Sequence, residues 1–195
     1  MPLPYGLRPV LASNSPRRRE LLGMMVPGFR MSSAPDVVET YPDALPHRDV
    51  PAFLSRLKAS ACDLSELADN EVFVTADTVV LCDEKILGKP HDREEAISML
   101  EMLSGRSHEV VTGVTLTDKK GRMHTFSDTT RVHFAKISHE DIRTYVDIFE
   151  PYDKAGAYGI QEWIGAVGIR GVEGCFYNVM GLPLSALYRE LGRFA

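Results

Sequence analysis

The stretch VFVTADTVV (72–80) constrains the fold of this chain more than any other feature of its sequence. It is a continuous run of apolar and β-branched residues, which is typical of a central strand buried on both faces of its sheet. One residue does not fit, because Asp77 interrupts the run and a carboxylate is costly to bury without a partner. The sequence therefore predicts a covered sheet that carries an acidic group in an unusual place.

Strand and helix patterns alternate along the rest of the chain. Ser15 stands at an N-cap position and Pro16 at the first position of a helix, and Asp49 is predicted to cap a second, longer helix. Alternation with one antiparallel excursion predicts a mixed α/β sheet, and the absence of any linker or repeat predicts a single domain over 1–195. The predicted strands are 8–13, 29–34, 72–80, the hairpin 108–118 with 123–137, and one or two short strands within 166–181. The predicted helices are 16–25, 50–67, 93–103, 138–149 and 183–194.

Composition excludes several classes of function. The chain has 22 lysines and arginines against 27 aspartates and glutamates, a net charge of −5, which disfavours binding of nucleic acid through a basic face. No apolar run is long enough to span a membrane, and the N-terminus MPLPYGL has no apolar signal region. Three cysteines without a CxxC pair indicate reduced thiols. We expect a cytoplasmic protein without a membrane partner.

Positive charge is concentrated in LASNSPRRRELL (11–22), where a small-residue turn leads into a helix. The first N–H groups of a helix lack backbone partners and the helix dipole favours anions there, so this turn is a candidate anion site. Ser13 adds a side-chain donor. The arginines Arg17–Arg19 point about 100° apart around the helix, so at most one or two of them can face the same ligand. Two interpretations stay open, solvated surface arginines or a bound polyanion.

Other residues allow both a chemical and a purely structural interpretation. Asp77 is predicted to lie at the end of its strand and to hold a metal or act as a base; the alternative is a carboxylate satisfied by backbone N–H groups or a salt bridge. Glu39 is a second acidic candidate, although alone it is typical of a solvated loop. Lys58 and Lys89, taken singly, are typical of solvated lysines. The loop EPYDKAGAYGIQ (150–161) has the glycines needed for close backbone approach.

Seven motifs occur in order along the chain: LASNSPRRRELL (11–22), RLKASA (56–61), ADTVV (76–80), ILGKP (86–90), LSGRSHEVVTGV (103–114), EPYDKAGAYGIQ (150–161) and NVMGLPLSAL (178–187). Together they resemble the Maf family of nucleoside triphosphate pyrophosphatases, also called septum formation inhibitors. The resemblance runs from about residue 9 to residue 192. The ending AGAYGIQ is similar to the branch that cleaves dTTP and UTP rather than the branch that acts on 7-methyl-GTP.

The resemblance implies an elongated mixed β-sheet flanked by helices, in two lobes with a central cleft, as in the inosine triphosphate pyrophosphatases. It implies hydrolysis of a nucleoside triphosphate to the monophosphate and diphosphate with a divalent cation, Mg²⁺ or Mn²⁺. The role implied is removal of non-standard nucleotides, with a link to arrest of cell division. Members of the family tend to form dimers, so a homodimer is a further expectation, although no segment here indicates an interface.

Site roles follow from the resemblance residue by residue. It implies that Asp77 accepts a proton from water and holds the metal together with Glu39. Base selectivity is implied for Thr78 and Gln161, as well as for Arg17. No residue is carried over from EWIGAVGIRGVEG (162–174). The other residues implied to bind substrate or shape its site are Ser13, Arg17, Arg18, Lys58, Lys89, Asp153 and Lys154.

Three alternatives remain open from the sequence. The first is a pyrophosphatase of the inosine-triphosphate or 7-methyl-GTP type, which would need a pocket for a purine. The second is a nucleotide-binding regulator of division without useful catalysis. The third is a purely structural α/β domain, which leaves Asp77 and the arginine turn unexplained.

Overall fold

The computed structural model describes residue 3 and residues 6–195, so the N-terminal segment MPLPYGL lies partly outside the described residues. Within the described part, seven strands form one sheet: β1 (Arg8–Ala12), β2 (Arg30–Ser32), β3 (Glu71–Cys82), β4 (Lys85–Leu87), β5 (Ser107–Asp118), β6 (Met123–Phe134) and β7 (Ile169–Glu173). The strand order is β2-β1-β3-β5-β6-β7, and β4 pairs with β3 off this path. β1 runs parallel to β2 and β3, whereas β4 and β7 pair antiparallel to β3 and β6. The predicted mixed sheet is confirmed.

The described helices are α1 (Pro16–Met25), α2 (Val50–Ser60), α3 (Arg93–Leu103), α4 (His139–Phe149), α5 (Trp163–Gly168), α6 (Phe176–Val179) and α7 (Leu184–Phe194). Three of them begin at a side-chain cap, and the first of these is the predicted cap Ser15. Ser15 accepts from the backbone N–H of Arg18, Asp92 from that of Glu95, and Ser138 from that of Asp141. Short polar side chains in extended backbone satisfy the orphan donors of the first turn, so the sequence determines these starts locally. In the described part, no helix is both long and apolar enough to cross a membrane.

The start and end of α2 differ from the prediction. Asp49 does not cap the helix, because a 3₁₀ turn over His47–Asp49 runs directly into it and holds Asp49 in helical backbone. The helix also ends at Ser60 rather than continuing to Leu67. Asp63 accepts from the N–H of Ser65 at 3.0 Å and begins a separate 3₁₀ turn there. The apolar spacing survives this break, since Leu67 is still buried.

The C-terminal third contains two short helices that the sequence did not predict, α5 and α6. One strand, β7, lies between them, within the predicted limit of one or two. The predicted loop at 150–161 is built from two 3₁₀ turns, at Pro151–Asp153 and Ala155–Ala157. β2 is shorter than predicted, with three residues.

The chain divides into two compact units. The first comprises the residues up to Asp77 together with Thr112–Asp128 and Gly181–Ala195, and in it α1 packs against α7. The second comprises Thr78–Val111 and Thr129–Met180, and in it α3 packs against α4.

Candidate active site

Asp77 lies in the middle of β3 and not at its end, so that prediction was wrong. The strand continues because Val79, Val80 and Leu81 beyond it are as apolar as the residues before it. Asp77 is buried, and its Oδ1 accepts from the ammonium of Lys58 at 2.7 Å. The carboxylate therefore has the ion-pair partner that its burial requires.

Lys58 joins two acidic residues of the first unit. Its Nζ lies 2.7 Å from Asp77 Oδ1 and 2.9 Å from Glu39 Oε1. The side chain of Glu39 is half exposed, whereas those of Lys58 and Asp77 are largely covered. One ammonium therefore balances a buried and an exposed carboxylate that come from distant parts of the chain.

The position of Lys58 depends on the close seating of α2 on the sheet. A Cβ on Gly113 of β5 would lie 2.3 Å from the backbone of Pro51, so the two backbones can approach only because this residue is glycine. The Ser55 hydroxyl lies 2.9 Å from that of Thr115, and the Thr75 hydroxyl donates to the Ser55 carbonyl at 2.8 Å. These contacts fix α2 in one register on the strands beneath it.

Burial raises the pKa of Asp77, and the neighbouring cations Lys58 and Arg18 offset part of that increase. Glu39 acts in the same direction as burial, because it adds a second negative charge. A carboxyl group with a raised pKa holds a proton more readily than an ordinary aspartate. Asp77 is thus suited to take up a proton from a nearby donor.

Arg18 turns inward from α1. Its Nε donates to the carbonyl of Gly181 and its Nη1 to the carbonyl of Ala76, both at 2.8 Å. Desolvation lowers the pKa of its guanidinium, and the charge of Asp77 counteracts this. Arg18 therefore ties α1 to the residue that precedes Asp77 and adds positive charge beside it. Arg19 is exposed.

The turn between β1 and α1 has the features of an anion site. Ser13 is buried, and its hydroxyl accepts from the N–H of Ser15 at 3.2 Å, which tightens the turn. The first turn of α1 contains no acidic side chain, so nothing there competes for the positive end of the helix dipole. Arg17 is half-buried on this turn. The local geometry therefore favours a negatively charged ligand.

The second unit holds the remaining predicted site residues. Thr78 is half-buried on β3, Lys89 is exposed after β4, and Gln161 is exposed at the end of the glycine-rich loop. The N–H of Gly156 in that loop donates to the carbonyl of Gly88 at 3.0 Å. The segment that carries Lys89 is thus attached to the loop that carries Gln161.

Lys154 is buried, and two carboxylates surround its ammonium. Asp153 Oδ1 lies at 2.7 Å and Glu162 Oε1 at 3.1 Å. Glu162 in turn accepts a hydrogen bond from the hydroxyl of Tyr145 on α4. Lys154 is thus the centre of a buried ion-pair cluster, and the role that the resemblance implies for Asp153 and Lys154 stays a prediction.

A second buried polar contact involves His108 of β5 and Tyr158 of the same loop. Their Nε2 and hydroxyl lie 2.7 Å apart, and Phe134 packs edge-on against both rings. Nδ1 of His108 has no hydrogen-bond partner among the described residues. Burial lowers the pKa of His108 to about 4, so the ring is neutral near pH 7.

This low pKa predicts an acid-sensitive contribution to stability. His108 takes up a proton near pH 6.5 in the unfolded chain but only near pH 4 in the folded chain. The stability that the neutral ring contributes is therefore fully present above pH 6.5 and is lost as the pH falls toward 4. The corresponding free energy is about 3 kcal/mol. We expect His108→Gln to flatten the fall in unfolding free energy between pH 7 and pH 4 by about that amount, measured by urea unfolding. The exposed His139→Gln should leave the profile unchanged; parallel profiles for wild type and His108→Gln would contradict the assignment.

The sequence did not predict the buried polar contacts of three residues of this unit, Tyr145, Glu162 and His108. Tyr145 reads as one apolar position of an amphipathic helix, and His108 lies within a strand pattern. Glu162 begins a segment that the resemblance leaves loosely constrained. The available signal was the position of Glu162 directly after the motif AGAYGIQ.

Comparison with solved structures defines the class of fold. A HAM1 protein from Coxiella burnetii superposes with a TM-score of 0.55 at 14% identity, covering 96% of this chain and 99% of that one. At this identity the likeness shows the fold alone. The sheet and its flanking helices therefore form an α/β architecture of the HAM1 type.

The chain belongs to the Maf family, since the family model described as Maf-like protein matches residues 8–194. A relative from Porphyromonas gingivalis, named dTTP/UTP pyrophosphatase, is 50% identical over 95% of this chain and 93% of its own length. A relative from Bacteroides fragilis with the same name is 48% identical over 93% of each chain. The resemblance seen in the seven motifs is thereby confirmed.

Proposed function

We propose that this chain is a nucleoside triphosphate pyrophosphatase that hydrolyses dTTP and UTP to the monophosphate and diphosphate. The two relatives named above carry that activity in their names and match nearly the whole chain. The structural observation that supports the proposal is the cluster of Asp77, Lys58 and Glu39, in which one ammonium contacts a buried carboxylate and a second, exposed carboxylate. Inosine-triphosphate and 7-methyl-GTP specificity, and a non-catalytic regulator, are not favoured by these relatives.

A divalent cation fits the residues present. Members of the Maf family are generally metal-dependent. Asp77 and Glu39 offer carboxylate oxygens, the donors that Mg²⁺ and Mn²⁺ prefer, and both lie within 3 Å of one ammonium. No group of three or more acidic, histidine or cysteine side chains in the described residues could hold a metal. The protein would thus supply one or two carboxylates, as is usual for Mg²⁺ sites that share substrate phosphates. When bound, such a cation neutralises phosphate charge and acidifies water.

The protein's own groups supply the remaining steps. Ser13, Arg17 and the N-terminus of α1 bind the negatively charged phosphates, and Lys58 and Lys89 add positive charge. Asp77 orients the attacking water and takes its proton as the water oxygen bonds to the α-phosphorus. The bond from that phosphorus to the bridging oxygen breaks, and diphosphate leaves in line with the attack.

Base choice rests on Thr78 and Gln161. Uracil and thymine present a carbonyl–NH–carbonyl edge, which an amide side chain or loop backbone can match. A site that hydrogen-bonds such an edge rejects bases that lack it more strongly than an apolar pocket can. The proposed cellular role is removal of non-standard pyrimidine nucleotides, connected to the arrest of cell division. We further propose that the chain acts as one functional domain and forms a homodimer.

A substrate panel tests this function. We expect initial rates of diphosphate release with Mg²⁺ to be highest for UTP and dTTP, and at least about tenfold lower for CTP, GTP, ITP and 7-methyl-GTP, because one lost base contact is worth about 1–3 kcal/mol. Equal rates for purine triphosphates and UTP would contradict the proposed base selectivity. If no nucleotide in the panel released diphosphate, the proposal that the chain is a pyrophosphatase would be contradicted.

A further inference from the structure

The loop formed by residues 154–162, called the selectivity loop here, has buried backbone and one outward-facing residue near its end. Residues 156–160 are buried, whereas Gln161 is exposed. The amide of Gln161 is exposed and lies beside the loop backbone, since a Cβ built on Gly159 would come within 3.0 Å of its Nε2. The backbone from which this amide projects is held by the residues on either side of it.

Glu162, the residue after Gln161, is held by two buried groups. Its Oε2 accepts from the Tyr145 hydroxyl, and its Oε1 lies 3.1 Å from the ammonium of Lys154. The same Tyr145 hydroxyl accepts from the N–H of Gly159 at 3.1 Å. The first residue, the middle and the last residue of the selectivity loop are thus joined through one carboxylate and one hydroxyl.

Ile160, the residue before Gln161, is held by backbone packing. A Cβ placed on Gly165 of α5 would lie only 1.8 Å from the carbonyl oxygen of Ile160. Two residues before Ile160, the hydroxyl of Tyr158 lies 2.7 Å from Nε2 of His108. Both neighbours of Gln161 are therefore held in place. Close backbone packing against Gly165 holds Ile160, and the contacts with Tyr145 and Lys154 hold Glu162.

We propose that Glu162 is a positioning residue for base selectivity, which acts by fixing the backbone from which Gln161 reaches the pyrimidine. This inference rests on the proposed function, in which Gln161 reads the base. Its physical reason is that Glu162 needs a full negative charge: the carboxylate accepts from a hydroxyl and an ammonium together, and a neutral amide cannot match both. Burial and the bond to Glu162 raise the pKa of Tyr145, which keeps its hydroxyl protonated as the donor.

The test compares UTP with CTP, which differ only at the base edge that Gln161 is proposed to read. For Glu162→Gln we expect the ratio of kcat/KM for UTP over CTP to fall about tenfold, with a raised KM for UTP and a kcat within about threefold of wild type, since a misplaced contact group weakens binding more than chemistry. Glu173→Gln on β7, which removes the carboxylate 2.9 Å from His133, is the matched control and should change neither ratio nor KM.

A double-mutant cycle separates positioning from general destabilisation. If Glu162 acts through Gln161, then Glu162→Gln should change the UTP/CTP ratio less than about twofold in a Gln161→Ala background. Additive effects, or an equal loss for both nucleotides, would overturn the proposal. Tyr145→Phe, which removes only a hydroxyl, should shift the ratio in the same direction and serves if Glu162→Gln does not fold. A wild-type enzyme that fails to release diphosphate would instead contradict the proposed function.

Discussion

Asp77→Asn is expected to lower kcat for UTP hydrolysis by about a thousandfold and to leave the fold intact. Asparagine has the same shape but cannot accept a proton from water, and a positioned general base contributes about 10²–10⁴ in rate. The burial that raises the pKa of Asp77 favours this role. Initial rates of diphosphate release at saturating UTP and Mg²⁺ measure the effect, and thermal unfolding checks the fold.

Asp69→Asn is the matched control for this experiment. Asp69 pairs with Lys119 at 3.2 Å and its side chain is almost fully exposed, so its substitution should leave kcat unchanged. A variant Asp77→Asn that kept kcat within tenfold of wild type would exclude Asp77 as the base. The exposed carboxylate of Glu39 would then be the next candidate to examine.

Lys58→Met is expected to produce two opposite changes. Activity on UTP should fall by about a hundredfold or more, because an ammonium that would neutralise phosphate charge is lost. Binding of Mn²⁺ to the nucleotide-free enzyme should become about tenfold tighter. Lys58 now occupies one oxygen of each carboxylate proposed for the metal, and its removal leaves Asp77 and Glu39 with unbalanced negative charge.

Electron paramagnetic resonance of Mn²⁺ titrated into the free enzyme at pH 8 measures this binding without turnover. Lys119→Met, which removes an exposed ammonium far along the chain from the cluster, should leave Mn²⁺ binding unchanged. Equal Mn²⁺ affinity of Lys58→Met and wild type would show that the ammonium and the metal do not share these carboxylates. The activity measurement stands independently of that result.

Local sequence determined the start of α1 but not that of α2, and the contrast has a physical reason. Ser15 lies in extended backbone, from which its hydroxyl reaches the N–H of Arg18. Asp49 has the same capping chemistry, but the preceding 3₁₀ turn places it in helical backbone. Whether a polar residue caps a helix therefore depends on its own backbone conformation, which for Asp49 is set by the turn that precedes α2.

The site shows the same division between local and distant information. The resemblance implied a shared metal site for Asp77 and Glu39 and substrate binding for Lys58, but not the direct contact of Lys58 with both carboxylates. That contact joins positions 39, 58 and 77, which no spacing rule relates. The position of Asp77 within β3 was predicted wrongly, because a buried charge in mid-strand is tolerated only when a partner from elsewhere arrives. Glu162 could not be recognised for a similar reason, since its contacts with Tyr145 and Lys154 come from residues that no spacing rule relates to it.

The division of the chain into two compact units has a consequence for how this family can change. Asp77, Lys58 and Glu39 belong to the first unit, whereas Gln161 and Glu162 belong to the second. With the roles proposed above, mutations that change the preferred base can accumulate in the second unit while the groups proposed for hydrolysis in the first unit stay unchanged. Related proteins could thus differ in the nucleotide they prefer and still use the same residues for hydrolysis.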